Sequence, residues 1–212
     1  IEASDTSTLP NDAVEISIDN STRYQTMEGF GPAITGSSAY NLSKMKPAER
    51  EKILKAAFHP TEGLGYNYIR VSIGCSDFSL SEFTWCDKEG LEFFGVHEED
   101  KTYLFPILRE ILAINPDVKI IAAPWTAPLW MKIDRYSNEP YTKWAGGKLN
   151  PEYYDEYAQY LVMSATSALR KNAPSQIAQK DTPEPMKFSS PSAPSLRCVS
   201  PVAIITFRHS YS

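Results

Sequence analysis

Cysteine is scarce in this sequence and poorly spaced for metal. Cys75, Cys86 and Cys198 form no CxxC pair, and the three histidines, His59, His97 and His209, are scattered. Neither set has the spacing of a zinc site, so no metal is expected. A Cys75–Cys86 bridge is compatible with the spacing, and sequence alone leaves it open. Positive charge is also short: 21 Lys and Arg stand against 26 Asp and Glu, a net charge of −5. That balance argues against nucleic acid or an anionic membrane surface as the main partner. No apolar run is long enough to span a bilayer, so no transmembrane segment is expected. The chain does not begin with Met and shows no leader peptide; a processed secretory protein and a trimmed chain both fit.

What is present is an ordinary globular composition. The 212 residues, 42% hydrophobic and 22% charged, suffice for one domain with a core. Aromatics make up 12%, including 12 Tyr and 4 Trp. So many flat rings suit either carbohydrate stacking or an aromatic core.

Taken in order, the opening eleven residues are polar. Val14, Ile16 and Ile18 then alternate with polar residues, which predicts a half-buried strand ending at the Asp19-Asn20-Ser21 turn. Arg23 to Glu28 is a candidate partner. Phe30 to Ile34, among glycines, reads as a short buried strand. Pro47 to Phe58 reads as a helix, with proline early and Ile53, Leu54 and Ala57 apolar. Tyr66 to Ile73 is a second strand with Arg70 inside it. Gly74 stops it, and Asp77 follows at once, leading into a ring-rich loop of Phe78, Phe83 and Trp85. A strand that ends in a carboxylate and an aromatic loop resembles the functional mouth of a parallel β/α structure. An ordinary buried strand running into a surface loop is the plainer alternative.

His97 to Asn115 has apolar residues at helical spacing, with Glu98, Glu99 and Asp100 in a first turn whose dipole favours them. Val118 to Ala123 is a continuous apolar run, read as a fully buried parallel strand ending at Pro124-Trp125. After a long loop, Asn150-Pro151 opens a third helix whose tyrosines, Tyr153, Tyr154, Tyr157 and Tyr160, read as packing. Alternation of strand and helix means parallel βα units. From about Ala165 the pattern stops. The last stretch holds six of the sixteen prolines and no glycine, and its only apolar run is Val199 to Phe207. It is predicted to be disordered or foreign to the fold.

Four stretches carry a family resemblance: EGFGPAITGSSAYNL (28–42), YNYIRVSIGCSDFSLSEFTWCD (66–87), KIIAAPWTAPLWMK (119–132) and GGKLNPEYYDEYAQYLV (146–162). Together they closely resemble the N-terminal half of glycoside hydrolase family 30, the glucosylceramidase-like enzymes. The resemblance implies an α/β fold: the first three βα units of a (β/α)8 TIM barrel over residues 28–164, preceded by strands of a side β-domain in residues 1–27, with a non-family tail over residues 165–212. It implies a β-glucoside or glucan substrate, glucosylceramide or β-1,6-glucan in type, hydrolysed with retention. It also implies a secreted, periplasmic or lysosome-like setting, and it leaves the oligomeric state open. By the same resemblance Asp77 would bind glucose hydroxyls, Trp125 would contact the same sugar, Arg70 would support the nucleophile, and Phe78 would lie in the substrate-binding loop.

Retaining hydrolysis needs two carboxyl groups about 5–5.5 Å apart. In the family the acid/base glutamate lies in an Asn-Glu-Pro triplet after the fourth strand. Here Asn138-Glu139-Pro140 lies in the loop after the third predicted strand, with no apolar run before it. Glu139 is therefore read as a loop carboxylate, no catalytic residue is assigned, and the chain is expected to be inactive. Out-of-frame or mis-spliced translation and a truncated gene account for the tail equally well. A non-catalytic remnant with weak sugar binding is the alternative function.

Overall fold

Two glycine and proline positions decide how the first segment meets the sheet. In the computed structural model, which describes residue 19, residues 21–172 and residues 203–205, residues 30–34 run beside the next strand. The backbone N–H groups of Tyr68 and Arg70 donate to the Phe30 and Pro32 carbonyls, and the Ile34 N–H donates to the Arg70 carbonyl. Pro32 has no N–H to continue the ladder. The strand predicted here therefore shortens to a single parallel bridge, Ala33 to Arg70. A Cβ on Gly31 would lie 1.4 Å from the Tyr68 carbonyl oxygen, so only glycine permits this approach.

Helix α1 (Gly36–Lys44) follows, its first turn capped by the Thr35 hydroxyl, which accepts from the Ser38 N–H. Helix α2 (Pro47–Phe58) starts on proline as expected and buries Leu54 and Phe58. Strand β1 (Tyr68–Ile73) alternates strictly: Ile69, Val71 and Ile73 are buried, while Arg70 is exposed on the other face.

The next predicted helix is interrupted at its start. One wide π turn, Asp100–Leu104, precedes α3 (Phe105–Ile114). Pro106 explains the widening: its ring cannot accept the normal i−4 carbonyl geometry. Glu99 and Asp100 are buried here instead of simply facing the helix dipole.

Strand β2 (Lys119–Pro124) lies parallel to β1, in a register running from Tyr68 opposite Lys119 to Ile73 opposite Pro124. It also alternates. Ile120 and Ala122 are buried, whereas Ile121 and Ala123 are half-buried, so the fully buried reading gives way to a one-sided one. Two short strands, β3 (Lys132–Ile133) and β4 (Lys148–Leu149), pair antiparallel and close the following loop. Helix α4 (Tyr154–Asn172) is preceded by a turn in which the Asn150 side chain accepts from the Glu152 N–H. Finally β5 (Ala203–Ile205) pairs antiparallel with β2, Ile121 opposite Ile204. Three residues of the tail read as disordered or foreign thus join the sheet, past the last of its prolines. The Ala13–Asp19 strand and the tail outside β5 from residue 173 on lie outside the described residues, apart from Asp19 itself.

The core forms between the buried face of β1 and β2 and helices α2, α3 and α4. A bidentate pair joins α2 to α3: Arg50 Nε and Nη2 donate to the two Glu110 carboxylate oxygens at 2.8 and 2.9 Å. The loop after β1 belongs to this core. Phe83 stacks on His97 at 3.9 Å, and Trp85 packs edge-on against Phe94 and Phe105. Both rings are buried, which corrects the reading of Phe83 and Trp85 as substrate-loop aromatics. Cys75 and Cys86 are buried free thiols and no disulfide joins them; burial pushes both thiols up from their ordinary pKa.

Candidate active site

Parallel pairing of β1 and β2 puts the residues after Ile73 and after Pro124 at one end of the sheet. Gly74, at φ +75°, turns the chain there and leads it to Asp77. Asp77 and Phe78 are both exposed, and the Phe78 carbonyl accepts from the Ser37 N–H at the start of α1. Trp125, 38% exposed, follows β2 directly.

A cavity of about 590 Å³ opens at this end. Arg70 and Trp125 line it, so the structure brings these two predicted site residues together. Asp77 and Phe78 do not line it. Trp144, Lys132 and Tyr157 do, and sequence reasoning assigned no site role to any of them. No motif marks Trp144; its only signal is the Gly146-Gly147 pair that follows.

The wall carrying Trp144 is built around a buried cation. Lys132 is 4% exposed, and its ammonium donates to the Thr126 hydroxyl and to the carbonyls of Lys143 and Trp144, at 2.8–3.0 Å. All three of its protons are placed. Burial nevertheless pulls its pKa below the usual lysine value. The Thr126 hydroxyl in turn donates to the Trp144 carbonyl at 3.0 Å. Gly146 and Gly147, at φ +89° and +73°, turn the chain beside Tyr141: a Cβ on Gly146 would meet its hydroxyl, and one on Gly147 its ring, at 2.7 Å.

Arg70, Lys132 and Lys148 give the lining three cations, and none of the lining residues is a carboxylate. Such a wall can bind and orient a polar ligand, but it has no acid/base pair of its own. Glu139 lies outside it. It is exposed, in a turn where Asn138 adopts φ +62° and the Glu139 carbonyl accepts from the Asp134 N–H. Among the described residues no group of three or more His, Cys, Asp or Glu could hold a metal ion, and no helix is long and apolar enough to cross a membrane.

Comparison with known proteins gives a consistent picture. The family described as the glycosyl hydrolase family 30 TIM-barrel domain matches residues 27–182. The lysosomal acid glucosylceramidase of Mus musculus is 30% identical over 145 residues, which are 66% of this chain and 27% of that protein. An endo-1,6-beta-D-glucanase of Neurospora crassa is 28% identical over 160 residues, 72% of this chain and 32% of its own. A solved endo-β1,6-glucanase superposes with a TM-score of 0.69 at 51% identity, covering 73% of this chain and 34% of its own. The chain thus spans about a third of the length of the proteins it matches.

Proposed function

Because the chain belongs to glycosyl hydrolase family 30, we propose that its fold serves a retaining β-glycosidase acting on β-glucosidic bonds, and that these 212 residues by themselves bind sugar weakly and cleave nothing. The first three βα units of the barrel, with a side β-domain before them, are part of the same proposal. Trp125 stacks on a sugar face and offers its indole N–H, Asp77 accepts two sugar hydroxyls, and Phe78 flanks the entrance. Arg70 supplies positive charge that keeps a neighbouring glutamate ionised.

The observation that carries this reading is the cavity at the C-terminal ends of β1 and β2. It joins Arg70 to Trp125 and contains no carboxylate. A binding wall is present, and the pair of carboxyl groups that retention requires is not part of it. Between the two substrate types, the 51% identity to a solved endo-β1,6-glucanase favours a β-1,6-linked glucan over glucosylceramide. A secreted, periplasmic or lysosome-like location belongs to the proposal, supported by the lysosomal mouse relative.

The test is an assay of the 212-residue chain on an aryl β-glucoside and on a β-1,6-linked glucan. No turnover above buffer is expected from either. Measurable turnover overturns the inactivity, and its loss in Glu139→Gln would also overturn the reading of Glu139 as a loop carboxylate.

A further inference from the structure

The four tryptophans divide by what their indole N–H groups do. Trp85 donates to the buried Asp100 carboxylate at 2.7 Å, and Trp130 donates to the Cys86 carbonyl at 2.9 Å. Both are committed to the fold. Trp125 and Trp144 have no acceptor for their indole N–H among the described residues, and these are the two that line the cavity. A solvent-accessible indole with a free N–H offers a flat apolar face and one donor, which is the combination a pyranose ring needs.

Trp144 is also held as a binding residue must be. Its carbonyl takes hydrogen bonds from both Lys132 and Thr126. The next residue is tied back by the Tyr141 hydroxyl, which donates to the Ala145 carbonyl at 2.8 Å. Lys132 lies 5.2 Å from the centre of the Tyr141 ring, so the clamp and the turn brace each other. The aliphatic lining is small, three alanines and Pro124 with Leu149 as its one large aliphatic side chain, and lysines, glycines and Thr126 make up much of the wall around Trp144. That surface suits hydroxyl-bearing rings and gives a hydrocarbon chain little to pack on. A cavity of about 590 Å³ falls within the range that takes drug-sized ligands, which are larger than one sugar ring.

We infer that Trp144 is the stacking platform for a second sugar, so the site takes a β-linked glucose disaccharide unit, with Trp125 under one ring and Trp144 under the other. Lys132 is the positioning residue that fixes this second platform. The inference rests on the proposal that the cavity takes a glucoside, and it narrows the group beyond the first glucose to another sugar.

The test uses the full 212-residue chain labelled with 5-fluorotryptophan, whose four fluorine resonances are assigned by single Trp→Phe variants. The probes are methyl β-D-glucopyranoside and the β-1,6-linked disaccharide of glucose. The disaccharide is expected to shift the Trp125 and Trp144 resonances and leave Trp85 and Trp130 in place; the methyl glucoside is expected to shift Trp125 alone. Trp144→Phe, which keeps a ring, is expected to weaken the disaccharide about threefold and leave the methyl glucoside unchanged. If Trp125 moves and Trp144 does not, the inference falls and the glucoside reading stands. If the methyl glucoside moves both, one ring spans the site and the inference also falls. If neither moves at millimolar sugar, the glucoside reading fails and takes the inference with it.

Discussion

Asp100 carries an ionisable group where a charge is costly. It is buried in the wide turn before α3, and burial pushes its pKa to about 7, against the partial relief of the Trp85 indole donor; neighbouring Glu99 adds to the rise. A carboxyl group whose folded pKa lies above its unfolded value of 3.8 binds its proton more tightly when folded. Its contribution to stability is therefore present at low pH, is lost as pH rises from about 4 to about 7, and is flat beyond. Asp100→Asn keeps an acceptor for Trp85 and removes the titration. Thermal unfolding from pH 4 to 8 is expected to show a decline in the wild-type Tm that is markedly flatter in the variant. An equal slope in both would mean that Asp100 does not titrate in this window. Sequence placed Asp100 correctly in a helical first turn but not in the core. Nothing in the run Glu98-Glu99-Asp100 distinguishes a solvated acid from one facing Trp85. Arg70 and Trp125, named from the family resemblance, share one cavity because Arg70 sits on β1 and Trp125 directly follows β2. Trp144 was not legible, because a loop built on a lysine clamp has no periodicity to read.

At the scale of elements, the hairpin of β3 and β4 depends on side chains more than on its two-residue strands. Lys132→Met keeps the stem and removes three donors. It leaves the Lys143 and Trp144 carbonyls without that partner. A cost of about 1–3 kcal/mol is expected from denaturant unfolding, with faster amide exchange confined to residues 132–148. An unchanged exchange pattern would show that the two glycine turns hold the loop unaided. A second link is the Arg50–Glu110 fork between α2 and α3. Glu110→Gln is expected to cost roughly 1–2 kcal/mol, since the pair is bidentate and the Arg50 side chain is mostly covered. Equal unfolding midpoints would count against it. Helix α2 was visible from its proline start and α3 from its apolar spacing, though its start was placed at His97 rather than Phe105. Helix α1 was not, because Gly36-Ser37-Ser38 reads as loop chemistry until the Thr35 cap is recognised. Parallel pairing was implied by strand–helix alternation, whereas its register was not, and the shortening at residues 30–34 came from the missing donor of Pro32.

At the scale of the whole molecule, the described residues cover the sheet on one face. Ile69, Val71, Ile73, Ile120 and Ala122 pack against helices, whereas Ala33 and Arg70, paired by the parallel bridge, are both exposed on the other. Exposed Phe30 and Phe78 add apolar surface. The chain is expected to bind an apolar dye such as ANS under native conditions, well above the level of a compact globular control. A signal no higher than the control's would show that face to be shielded. The same one-sidedness sets how the strands answer to substitution. In a saturation library scored for folding, β1 would alternate with period two, intolerant at Ile69, Val71 and Ile73 and permissive at Tyr68, Arg70 and Ser72. Strand β2 would do the same about Ile120 and Ala122. Strands buried on both faces lose that alternation, because every position then has something to clash with. The amplitude of the period-two signal is thus a measure, taken from variants alone, of how much barrel surrounds these two strands.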